Sequence, residues 1–183
     1  MYQNTIETAI DKSDVIALFT NRDAETSFTV GIPRTITSHF VIVSSISKDG
    51  LSDGIAIRAN DRVFRVERDT GYLRSLGALW KMNGCHVSNF EKETNFGDIS
   101  DLDKVFPVLI NSKFIISAWI NGDETNEICG TVLRTDSETV EISMLSEYGA
   151  SDGTCVIGIN DIHSLNIDGV DERRRLAFCL AHE

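Results

Sequence analysis

The sequence predicts a mainly β protein with flanking helices (α+β), built as two tandem five-stranded small barrels. Two observations carry this. Residues 1–91 and 92–183 match one another in the same order at an offset of 99 to 100. Each copy holds five short apolar runs separated by turn residues, with an amphipathic stretch before and after. The 183 residues, 42% hydrophobic and 25% charged, suffice for one domain or two small ones.

The repeat is read from particular residues. Ser52-Asp53-Gly54 followed by Asn60-Asp61 returns as Ser151-Asp152-Gly153 followed by Asn160-Asp161. Val41–Ser47 lies over Val140–Ser146, Gly31 over Gly130, and Val15–Asn21 over Ile115–Asn121. Ile10 lies over Ile110, and Leu76 over Leu176. Ordered self-similarity at one period is the mark of an internal duplication.

Each copy opens with a short helix, near 3–11 and near 101–110. In the second copy Ser100 is a fitting N-cap, and Asp101 and Asp103 fall where the helix dipole favours negative charge. Leu102, Val105, Phe106 and Leu109 form an apolar stripe, and Pro107 opposes an uninterrupted helix. Five strands follow in the first copy, near 14–20, 27–36, 39–47, 54–59 and 62–67. Asp49-Gly50, Asp53-Gly54 and Asn60-Asp61 punctuate them. A closing helix near 69–81 presents Tyr72, Leu73, Leu76, Leu79 and Trp80. Its counterpart near 169–181 presents Leu176, Phe178, Cys179 and Leu180. Asn83-Gly84 stops the first closing helix, and residues 84–99 read as a loop-like connector. The expected units are therefore 1–83 and 100–183, joined by 84–99.

The net charge is -11, and it is uneven: 10 basic and 11 acidic residues in 1–91, against 7 and 17 in 92–183. Phosphates attract Lys and Arg, so such a chain is a poor general nucleic-acid binder, and an anionic partner would meet the first half. No run of about 18 apolar residues is present, so no membrane-spanning helix is expected. Met1–Thr5 has no basic region leading into an apolar run, and a cytoplasmic location is expected.

Cys85, Cys129, Cys155 and Cys179 make no C-x-x-C pair and are expected as reduced thiols. The histidines are equally scattered, so no metal site is expected. Cys85-His86 are adjacent on an extended segment and point to opposite faces, which prevents a thiolate–imidazole pair. No nucleophile elbow, phosphate loop or dinucleotide fingerprint occurs. The expectation is a protein that is not an enzyme and needs no cofactor.

A helix followed by five strongly bent strands resembles the Sm and LSm proteins. Gly130-Thr131-Val132-Leu133-Arg134-Thr135-Asp136 follows that family's first motif, Gly-x-hydrophobic-x-x-x-Asp. The first copy keeps Gly31 and has Thr37 in place of the aspartate. The second motif, Ile-Arg-Gly, survives partly as Ile57-Arg58-Ala59, whereas the second copy reads Ile157-Gly158 without the arginine. The hairpins are also similar to those of a set of uncharacterised bacterial Sm-like proteins. The resemblance implies subunits that join edge to edge through their fourth and fifth strands. For a base-binding pocket it implies Phe40 as the stacking group and Arg58 on the other side. Val41 stands where an asparagine would read the base.

The third strand adds a contrast. Val41 and Val43 share one face, Phe40 and Ile42 the other. In the second copy Val140, Ile142 and Met144 repeat the first face, but Thr139, Glu141 and Ser143 make the other polar. Phe40 and Ile42 are therefore expected to be covered by the other half of the chain, a second molecule or a ligand. Arg58, Arg62, Arg65 and Arg68 form a basic cluster, read as pairing with Asp61, Glu67, Asp69 and the acidic second half. Arg173-Arg174-Arg175 reads as a solvated face. The functional expectation is a binding or assembly module that associates with a protein partner or with itself. The alternative is weak RNA binding through Phe40 and Arg58 in the first copy.

Overall fold

Ten antiparallel strands form one continuous sheet in the computed structural model, which describes residues 2–23, 27–96, 99–120 and 126–181. The first run is α1 (Tyr2–Lys12), β1 (Ile16–Phe19), β2 (Thr29–Ile36), β3 (Phe40–Ile46), β4 (Ser52–Ala59), β5 (Arg65–Arg68) and α2 (Gly71–Met82). A short helix, α3 (Asn89–Glu93), follows. The second run has a 3-10 turn at Leu102–Lys104, then α4 (Phe106–Leu109), β6 (Ile116–Ile120), β7 (Ile128–Thr135), β8 (Thr139–Leu145) and β9 (Ser151–Gly158). It ends with β10 (Ile162–Ile167) and α5 (Val170–Ala181).

The sheet order is β5-β1-β2-β3-β4-β10-β6-β7-β8-β9. Each run of five strands thus has the same internal order, the last strand beside the first. Two closed barrels are not what the chain forms: the sheet stays open. The reason is that the outer edge of β4, which would face its own β5 in a closed barrel, is hydrogen-bonded to β10 instead.

Local features also correspond. Bulges fall at Pro33/Thr35 and Val132/Arg134, and at Ser44/Ile46 and Ser143/Leu145. A Cβ on Gly31 would lie 2.0 Å from the Ser44 carbonyl oxygen, and one on Gly130 1.9 Å from that of Ser143. Only glycine admits the neighbouring strand so closely. Asp136 accepts hydrogen bonds from the Glu138 and Thr139 amides at 2.8 and 2.7 Å. These bonds hold its carboxyl below the usual range. Thr37 does the same work in the first run, its hydroxyl accepting from His39 and Phe40 at 3.2 and 3.0 Å. A hydroxyl replaces the carboxylate without changing the turn.

Two expected elements differ. The helix expected over 101–110 is broken, with Pro107 in the first turn of α4, where its missing N–H costs nothing. The expected loop 84–99 contains α3, capped by the Ser88 side chain and anchored by the buried Phe90.

The core lies on both faces of the sheet. Ile6 and Ala9 of α1 cover Ile16, Leu18, Val41 and Val43 on one face. On the other, Leu73, Leu76 and Trp80 of α2 cover Ala17, Phe19, Val30 and Ile32. That second face continues across β3 and β4 into the second run. There Ile42, Ile55 and Ile57 join Ile116, Leu165 and Ile167 under Phe90, Leu102, Val105 and Phe106.

The closing helices diverge. Their bounds, 71–82 and 170–181, fix the offset at 99, so Leu76 corresponds to Arg175 and not to Leu176. The buried face of α5 is made by Glu172 and Arg175, where α2 has Leu73 and Leu76. Arg175 is accordingly not on a solvated face; it pairs with Glu127. Phe178 and Leu180, expected as apolar packing groups, are exposed.

Burial pushes the Glu172 carboxyl above its ordinary value. The folded chain then holds a proton at a pH where the unfolded chain has lost it. Stability should fall as pH rises from the ordinary carboxylate value through the raised one. Urea unfolding across that window should show the decline, and Glu172→Gln should flatten it.

Candidate interaction surface

The seam between β4 and β10 shows how this sheet joins one run to the next. Four residue pairs make the ladder: Arg58 with Ser164, Ile57 with Leu165, Ala56 with Asn166, and Ile55 with Ile167. On one face Ile55, Ile57, Leu165 and Ile167 are fully buried. Each such side chain contributes roughly 1.5–3 kcal/mol.

Polar groups clamp the end of the seam. The Asp53 carboxylate accepts from the Val170 amide at 2.8 Å, capping the first turn of α5 across the joint. Arg173 donates through Nη2 to the Ser52 carbonyl at 3.0 Å and through Nη1 to the Asp168 carbonyl. Asp168, with φ 55°, accepts from the Asn89 amide at 3.0 Å and so ties α3 to the same corner. Gly54 has φ 71°, and a Cβ there would lie 2.2 Å from the Ile167 carbonyl oxygen and 2.5 Å from the Gly169 nitrogen. The Ser-Asp-Gly turn is thus the cradle into which the start of α5 fits.

The residues singled out from sequence fall in three places. Ile42 is buried in the seam core. Phe40 is half-buried against the same core and lines a cleft with His39, Asn60 and Arg62. Arg58 pairs with Val41 in the ladder and therefore shares Val41's face, opposite to Phe40. Phe40 and Arg58 do not meet. The Arg58 guanidinium donates to Thr29 Oγ1 at 2.8 Å, to the Leu165 carbonyl at 3.1 Å and to Asn166 Oδ1 at 2.8 Å.

Arg58 thus bolts the two runs together. Arg58→Ala should lower stability by about 1.5–3 kcal/mol, the range for hydrogen bonds to a charged group. Arg58→Lys should not restore it, because an ammonium lacks the planar fork. Denaturant midpoints of the two variants check this.

Arg65 pairs with Glu67 and Arg68 with Asp14, which occupies part of the basic cluster. A cleft of about 710 Å³ lies beside α2 and includes Lys12, Arg34, Arg74 and Lys81. Arg34 there pairs with Glu91 of α3 at 2.6 Å, and Arg74 with Asp69 at 3.1 Å. Among the described residues no group of three His, Cys, Asp or Glu side chains is placed to hold a metal ion, and no helix is long and apolar enough to cross a membrane.

Sequence reasoning passed over Asp168 and set Arg173 on a solvated face, whereas Arg173 binds the Ser52 and Asp168 carbonyls. For Asp53 the signal was present, since Ser-Asp-Gly occurs twice, but it read as a mark of the repeat and a turn, not as a helix cap. At the ends of the sheet, β5 pairs only with β1 and β9 only with β8 among the described residues. Each therefore leaves one backbone edge open, and Val156 on β9 is 60% exposed. No protein-family model, curated protein or solved structure matches the chain.

Proposed function

We propose that this protein is a non-catalytic assembly module of two duplicated, Sm-like five-stranded units, 1–83 and 100–183, that binds protein partners through the edges of its sheet. The observation that carries this is the pair of open edges, β5 and β9, on a sheet whose own two runs are joined edge to edge. Unpaired strand edges are templates for another chain. The common strand order, the matching bulges and the Gly31/Gly130 approach support duplication of one unit.

RNA binding is the weaker reading. Arg58 is committed to the seam and lies on the face opposite Phe40, so the two do not form one base pocket. Uridine-rich RNA is expected not to bind below micromolar concentration at physiological salt. Binding that is submicromolar and lost in a folded Arg58→Ala variant overturns the assignment.

The direct test is recovery of the native protein's partners with and without nuclease. Protein partners that survive nuclease, and that are lost when Val156→Lys blocks the β9 edge, support the assembly reading. Partners released by nuclease favour RNA.

A further inference from the structure

We propose that the cleft beside α2 binds a small anionic amphiphile, a free molecule with an apolar body and a phosphate or carboxylate head. This role goes beyond the assembly reading, and either can fail without the other.

The two runs supply the comparison. Ile16 pairs with Gly31 as Ile116 pairs with Gly130, which sets β1 over β6 at an offset of 100. Asp69 and Asp168, with φ 58° and 55°, set the closing helices at an offset of 99. With those offsets the 710 Å³ cleft of the first run has a counterpart in the second, a hollow of about 190 Å³. Asp14, Val15, Asp69, Arg74 and Gly77 line the one, and Phe114, Ile115, Asp168, Arg173 and Leu176 line the other. Two exchanges mark the difference. Phe114, buried, stands where the first run has Asp14, and Leu176 stands where it has Gly77. The second run fills the place with its own side chains, and the first leaves it open.

Gly77 lies in the interior of α2, where glycine disfavours the helix. A Cβ there would meet only Val15, at an ordinary contact distance of 3.5 Å. Packing therefore does not require glycine at this position. What the missing side chain does is keep the cleft open, with Val15, Ile32 and Trp80 as its apolar lining.

The rim is cationic. Five cations, Lys12, Arg34, Arg68, Arg74 and Lys81, stand against the two carboxylates of Asp14 and Asp69, a surplus of three. Glu91, which holds Arg34 from α3, reduces it to two. Arg68 pairs with Asp14 at 2.9 Å and Arg74 with Asp69 at 3.1 Å. Lys12 and Lys81, exposed in the last turns of α1 and α2, make no ion pair among the described residues. In the second run Arg34, Arg68 and Lys81 correspond to Leu133, Ile167 and Leu180, so these cations belong to the open cleft alone.

A positive surplus on a chain of net charge -11 is a local attraction for an anion. An apolar lining below that rim, in a space of this volume, fits an apolar body with an anionic head. The overall charge repels an anionic membrane or nucleic acid, which leaves a free small molecule as the occupant.

The test is calorimetric titration of the full chain with octyl phosphate, octanoate, octanol and inorganic phosphate, the amphiphiles kept below micelle-forming concentrations. Octyl phosphate and octanoate should bind saturably at one site, the tighter of the two identifying the head. Octanol and inorganic phosphate should bind at least roughly tenfold more weakly. Gly77→Leu introduces the side chain of the second run and should weaken octyl phosphate by at least about tenfold; leucine is the better helix former, so the helix is kept. Lys12→Glu with Lys81→Glu should weaken it by a similar factor, and circular dichroism should show both variants folded.

Octanol bound as tightly as octyl phosphate overturns the anionic head. Wild-type affinity in either variant overturns the placement in the cleft, and no saturable binding of either anion overturns the site. Cosedimentation with phosphatidylglycerol vesicles that the lysine variant loses makes the occupant a lipid surface and overturns the free molecule. The assembly reading is judged separately, by nuclease-resistant partners that Val156→Lys removes.

Discussion

Ile42→Glu should cost at least about 4 kcal/mol and lower the urea midpoint correspondingly. Ile42 is 1% exposed, opposite Ile57 and within the core that Phe90, Leu102 and Phe106 cover. A carboxylate there would be buried among apolar side chains. The corresponding residue of the second run is Glu141, which pairs with Arg134 and lies opposite the exposed Val156. The mirror substitution Glu141→Ile, which gives up one pair with the exposed Arg134, should therefore change stability by about 0–1 kcal/mol. Urea denaturation of the two variants measures the contrast. Equal losses in both would show that the seam face is not what separates the two runs.

Arg175→Ala should cost about 1.5–3 kcal/mol, the range for a hydrogen bond between charged groups. The Arg175 side chain is 10% exposed and holds Glu127, and Glu172 lies buried on the same face of α5. Without the cation, two carboxylates remain beside Ser117 and Cys129 with no positive group between them. The double variant Glu172→Leu with Arg175→Leu restores the pattern of Leu73 and Leu76 in α2. It should recover most of the single variant's loss, because apolar side chains fill the two buried positions and the partly exposed Glu127 is left to water. Thermal melts of the single and double variants decide the matter, and a double variant as damaged as the single one would refute this account of α5.

Much of the fold was legible in the chain. Period-two alternation and Gly or Asp turns located the strands to within a few residues, because those patterns act between near neighbours. The apolar face of α2, with Leu73, Leu76 and Trp80, was legible for the same reason. The stripe Leu102, Val105, Phe106, Leu109 was read correctly as buried, even though Pro107 splits its backbone. The last helix was misread by one residue, since an offset of 100 aligned Leu76 with Leu176. Only the shared positive φ of Asp69 and Asp168 and the matching helix bounds fix the offset at 99 and turn Arg175 inward.

The sequence by itself determined the strands, the turns, the internal correspondence and the two-faced character of Phe40–Ile46. The strands, turns and faces follow from side-chain period and backbone preference over a few residues, and the correspondence from ordered matches between the two halves of the sequence. The tertiary structure alone decided that β4 takes β10 as its neighbour, that Arg58 serves the joint, and that Gly54 is filled while Gly153 is open. Ser52-Asp53-Gly54 and Ser151-Asp152-Gly153 are identical as text. What separates them is the chain lying against them, and in the closed case it arrives from more than a hundred residues away, through the β4–β10 ladder and the bonds of Asp53 to Val170 and of Arg173 to Ser52, which no local side-chain period reveals.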